Sequence, residues 1–180
     1  MDINTLKSFA RPFYKNKDIM HDISHIERVL VTLDSLLVDI NESYNYEIIV
    51  YAAYLHGFIY SDEGIIKGWL RKEGFDESRI EKILKVAWES QKNEEAETIE
   101  GRLLHDAHMI EGGKVFLVIK SLITGSVRGQ TLEQTIEYIE KNILDRGKCY
   151  YKRAQQIYKD SQEFAKYLIQ QMREGLKGNI

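Results

Sequence analysis

Residues 48–64 read IIVYAAYLHGFIYSDEG, and how this stretch is read decides the fold. An apolar helix from about Tyr46 runs to His56 and meets Gly57, which can adopt the left-handed conformation that ends helices. A histidine at the close of so apolar a segment is either a buried passenger or a metal ligand. Just upstream, SHIERVLVTLDSLLVDI (24–40) places Ile26, Val29, Leu30, Leu33, Leu36, Leu37 and Ile40 on one stripe at helical spacing. Ser24 followed by Glu27 reads as a capping box, so that helix starts at or just before His25.

Downstream the helical pattern continues. A short helix carries Ile65, Ile66, Trp69 and Leu70 and stops at Gly74; another begins near Asp76 with Ile80, Ile83, Leu84 and Ala87. QKNEEAE (91–97) is a polar break with a solvated acidic run. An amphipathic helix then holds Ile99, Leu103, Leu104, Ala107 and Ile110 before Gly112-Gly113. KVFLVIKSLI (114–123) fits strand or buried helix in isolation, and its helical surroundings favour helix. SVRGQ (126–130) reads as a loop, and helices near 131–144 and 148–174 complete the chain. The expectation is an all-α single domain, 1–180, of about seven helices.

Composition bounds the function. The 180 residues are 43% hydrophobic and 29% charged, as in globular proteins. No apolar run approaches the roughly 20 residues that span a bilayer, and the first residues lack the basic-then-apolar pattern of a secretory leader. Cys149 is the single cysteine, so no intrachain disulfide forms. These features predict a cytoplasmic protein without a membrane partner. A net charge of −3 gives no global field for nucleic acid. In KCYYKRAQQIYK (148–159), the helical spacing of Tyr151, Ala154 and Tyr158 fits core packing with a basic outer face better than an RNA surface.

Five histidines are present: His21, His25, His56, His105 and His108. His25, His56 and Asp106 sit on or beside the apolar stripes of three different helices, where an unpaired polar group is costly. Two imidazoles and a carboxylate converging there satisfy one another through a metal ion or by hydrogen bonds. Catalytic metal sites commonly use three protein ligands and leave a position open.

HDISHIERV (21–29), AAYLHG (52–57) and LLHDAHMIEGG (103–113) together resemble the HD-domain superfamily of metal-dependent phosphohydrolases. The resemblance covers residues 20–113 as a metal-site core, with 114–180 as C-terminal helices packed on it. It implies His25, His56 and Asp106 as ligands of one divalent ion. The literal His21-Asp22 and His105-Asp106 pairs do not occupy the family's His-Asp position; His56-Gly57 does, so glycine replaces the pair's aspartate. Glu89-Ser90 stands where many small members carry another histidine, and His108 replaces the second acid of the family's D-A-D segment. With one carboxylate missing, Fe, Mn, Co, Ni or Zn suits the site better than Mg.

The activity implied is hydrolysis of a small phosphorylated molecule such as a nucleotide. Arg28 is then a candidate phosphate contact, His108 a pocket-lining residue, and Asp62 or Glu63 a candidate base. His21 and Asp22 are expected to orient His25, and His105 to lie at the surface. The alternative is a degenerate HD fold that binds a nucleotide or protein without turnover. An Fe²⁺ oxygenase ranks third.

Overall fold

The computed structural model describes residues 2–179. Among them are nine α-helices: α1 (Ile3–Tyr14), α2 (Ile23–Leu37), α3 (Tyr46–Leu55), α4 (Ile59–Lys72), α5 (Glu77–Glu89), α6 (Ile99–Met109), α7 (Gly113–Val127), α8 (Leu132–Asn142) and α9 (Lys152–Leu176). No strand occurs among the described residues. The helices gather into two compact units, dividing between His108 and Met109.

In the first unit α3 is the central element. Every residue from Ile48 to Leu55 is buried, and α1, α2 and α5 all pack against it. A helix surrounded in this way needs no polar face, which accounts for its continuous apolar sequence. Helix α1 was not foreseen. Asp2 caps it by accepting from the backbone N–H of Asn4 and Thr5, and Leu6, Ala10 and Tyr14 form its buried stripe.

Two expected boundaries shift. Helix α2 begins at Ile23, because the Asp22 carboxylate accepts from Ser24 N–H at 3.0 Å. Glu27, the proposed second half of a capping box, instead pairs with Lys7 at 2.8 Å. Helix α3 gives way at its end to a 3-10 turn, His56–Phe58. Gly57 is not among the positive-φ glycines there; it is needed for a close approach. A Cβ at Gly57 would lie 2.8 Å from Cε1 and Cζ of Tyr14, and nearer still to its hydroxyl.

The second unit is built on α7, which packs against both α8 and α9. Val118, Ile136, Ile139, Ala165 and Ile169 form its core. The ambiguous KVFLVIKSLI segment is helical, as its context predicted. Thr131 and Gln134 form a reciprocal capping box that fixes the start of α8.

Candidate metal centre

His25 lies in the first turn of α2 and is buried. The Asp22 cap sets where that turn begins. Arg28, one turn on, donates to Ser24 Oγ at 2.7 Å and to the Met20 carbonyl at 3.0 Å. The side chain read as a phosphate contact therefore braces the segment entering α2. His21, its Nδ1 2.9 Å from the Asp18 carboxylate, sets its ring 6.1 Å from that of His25. Burial by itself raises the Asp18 carboxyl, but hydrogen bonds from His21 and from Met20 N–H outweigh it and hold the group below the usual aspartate value.

His56 opens the 3-10 turn, with its Nδ1 2.6 Å from the Ala53 carbonyl. That contact assigns the proton to Nδ1 and leaves the Nε2 lone pair for another partner. The turn is held from several directions. Gln91 Nε2 donates to the His56 carbonyl at 3.0 Å, and Lys17 Nζ donates to the Gly57 carbonyl at 2.6 Å. The Tyr14 hydroxyl accepts from Gly57 N–H at 3.2 Å and donates to the Tyr54 carbonyl at 3.1 Å.

His108 completes the group from the last turn of α6. Its Nδ1 lies 3.3 Å from the Ser90 carbonyl, the same arrangement of ring and backbone as at His56. Ring centroids stand 5.5 Å apart for His25–His56, 5.1 Å for His25–His108 and 5.0 Å for His56–His108. One ligand atom from each of the three lies within 4.8 Å of the others, so the cluster can hold a metal ion. Two of these imidazoles place Nδ1 against a backbone carbonyl, a partner that commonly orients a metal-ligating histidine.

The histidine that joins His25 and His56 is thus His108, where the sequence pointed to Asp106. Asp106 lies two positions before His108 on α6. Asp106 is fully buried with His105, whose Nδ1 is 3.4 Å from its carboxylate. His105, expected at the surface, is itself buried.

The remaining candidates have structural partners. Glu63 accepts from Trp88 Nε1 at 3.0 Å and pairs with Lys67. The Lys67 contact, then the indole N–H, hold its carboxyl below the usual value, which makes it a weak base at neutral pH. Asp62 interrupts α4 with non-helical backbone angles (φ −127°, ψ 22°) and accepts from Ser61 Oγ. Glu89 is buried and accepts from Glu97 N–H and Thr98 N–H, both at 3.3 Å, at the start of α6. The dipeptide Glu89-Ser90 therefore does two jobs: Glu89 organises the entry to the helix that carries His108, and Ser90 supplies the carbonyl that orients its ring. Sequence reasoning missed the backbone anchors at Tyr14, Lys17, Ser90 and Gln91, since contacts to main-chain atoms leave no residue pattern.

With this geometry, three solved structures match over almost their whole length. Bacillus subtilis YpgQ in complex with ADP has a TM-score of 0.74 at 16% identity, covering 98% of this chain and 99% of that one. The Lin1889 protein from Listeria innocua has a TM-score of 0.72 at 22% identity, covering 97% and 95%. A second YpgQ structure gives 0.73 at 15%, covering all of both chains. These likenesses establish the helical fold. No family model and no curated protein matches. No helix among the described residues is long and apolar enough to cross a membrane.

Proposed function

We propose that this chain is a divergent HD-type phosphohydrolase that acts on a small phosphorylated molecule such as a nucleotide, using one divalent ion held by His25, His56 and His108. The observation that carries this reading is the meeting of three imidazoles, from α2, the end of α3 and α6, within 4.8 Å. The order of the three sequence motifs supports the HD assignment. The ADP in YpgQ, a protein of the same fold, supports a phosphorylated ligand.

An all-imidazole donor set is neutral and borderline in softness, so it favours Zn²⁺, Co²⁺, Ni²⁺ or Fe²⁺ over Mn²⁺ and still more over Mg²⁺. Such an ion, when bound, lowers the pKa of a coordinated water and polarises a phosphoryl oxygen. The chain's own part is to hold the rings of His56 and His108 at fixed tautomers, through the carbonyls of Ala53 and Ser90, and to leave further positions open. Glu63 is tied to Lys67 and Trp88 and takes no part as a base.

The test is metal analysis of the purified protein followed by phosphatase assays with nucleotides and simple phosphomonoesters. Expected are roughly one bound transition metal per chain and turnover that His56→Ala lowers at least 100-fold. Protein that binds ADP and metal yet turns nothing over would move the assignment to a binding module. That second reading draws on the Tyr14 ring, which occupies the space beside Gly57 where a further carboxylate would project.

A further inference from the structure

We propose that Tyr14 is a positioning residue of the imidazole centre and fixes its metal preference; this rests on the metal reading above. The phenol of Tyr14 is 2% exposed. Its hydroxyl bridges two backbone groups on either side of His56, donating to the Tyr54 carbonyl at 3.1 Å and accepting from Gly57 N–H at 3.2 Å. Burial drives the phenol well above the ordinary tyrosine pKa, so the proton stays and the donor role persists. Lys17, stacked over the Tyr14 ring with Nζ 4.6 Å from its centroid, donates to the Gly57 carbonyl and so holds the next peptide unit along the turn. Tyr14 and Lys17 together leave the turn that carries His56 little rotational freedom.

The same ring leaves no room for a side chain at position 57. Any side chain at 57 would start 2.8 Å from Tyr14 ring carbons, so Tyr14 and Gly57 form a matched pair. A carboxylate cannot enter at 57 while the tyrosine remains. The centre thereby gains no oxygen donor from position 57, which disfavours the hard ions that want oxygen.

The experiment measures Zn²⁺ and Mn²⁺ affinity by chelator competition, the visible spectrum of the Co²⁺ form, and the thermal midpoint of the apo protein. The proteins compared are wild type, Tyr14→Phe, Gly57→Asp and Tyr14→Ala/Gly57→Asp. Tyr14→Phe is expected to bind Zn²⁺ about tenfold more weakly, the usual cost of losing a partner that orients a ligand, with a shifted Co²⁺ band. Gly57→Asp is expected to lose thermal stability. The double variant is expected to recover it and to bind Mn²⁺ at least tenfold more tightly than wild type. Tyr14→Phe with unchanged Zn²⁺ affinity and Co²⁺ spectrum would overturn the proposal while leaving the metal reading intact. Wild type that binds neither Zn²⁺ nor Co²⁺ would overturn both. If Tyr14→Phe does not fold, the Gly57 pair decides: a double variant no more stable than Gly57→Asp, with no gain in Mn²⁺ affinity, overturns the proposal.

Discussion

Asp106 and His108 are separated by a single alanine, and it is His108 that groups with His25 and His56 as a cluster able to hold an ion. The sequence could place α6, because Leu103, Leu104 and Ala107 mark its buried face, but both Asp106 and His108 border that face. The choice between them depends on the helix's rotation, which is set by contacts such as His108 to the Ser90 carbonyl and cannot be read from spacing. His25 and His56 were legible because each stands alone at a helix end on an apolar stripe. The two assignments for α6 predict opposite outcomes. His108→Ala should weaken Zn²⁺ binding at least as much as the 10–100-fold lost with an orienting partner. Asp106→Asn should leave Zn²⁺ affinity within a few-fold, and should lower stability by about 1–3 kcal/mol as the buried contact to His105 is weakened. Isothermal titration paired with chemical denaturation checks both. The reverse ranking would return Asp106 to the ligand set.

At the level of elements, the pattern of apolar residues placed seven of the helices and context placed the ambiguous α7, although α4 starts earlier than its apolar residues suggest, at Ile59. Helix α1 escaped notice although Leu6, Ala10 and Tyr14 recur at four-residue spacing, Pro12 being the residue that argues against a helix there; it packs on α3, far away in sequence. The start of α6 shows how a site depends on elements that carry no ligand. The carboxylate of Glu89 receives backbone N–H groups of residues 97 and 98, and also the Thr98 hydroxyl. Thr98 Oγ1 in turn accepts from Gly101 N–H at 2.9 Å. A buried anion at a helix N-terminus is favoured both by those donors and by the helix dipole. Glu89→Ala should therefore cost about 2–3 kcal/mol, visible as a lower urea midpoint with the slope unchanged. Gly101→Ala should reproduce much of that loss by sterics alone, since its Cβ would sit 2.8 Å from Glu89 Cβ and closer to its carboxylate. A Gly101→Ala protein as stable as wild type would show that this junction yields at no cost.

Across the whole chain, the all-α class was legible, whereas helical periodicity says which face is buried but not which helices share a core. The three histidines all belong to the unit that ends at His108, whereas the second unit has its own core of Val118, Ile136, Ile139, Ala165 and Ile169. Binding that favours the folded state stabilises whatever must unfold to release the ligand, by about 2.7 kcal/mol at 100 times Kd. Local opening proceeds in cooperative blocks, not uniformly along a chain. Saturating Zn²⁺ should accordingly slow amide exchange in α2, α3 and the last turns of α6, where opening separates the imidazoles. Amides of α7, α8 and α9 should exchange at the same rate with and without the ion. Hydrogen exchange read by mass spectrometry on peptides from each helix measures this directly, and His56→Ala provides the control in which the protection disappears. Equal protection of all nine helices would mean that the two units open only together, so that the metal centre reports on the stability of the entire chain.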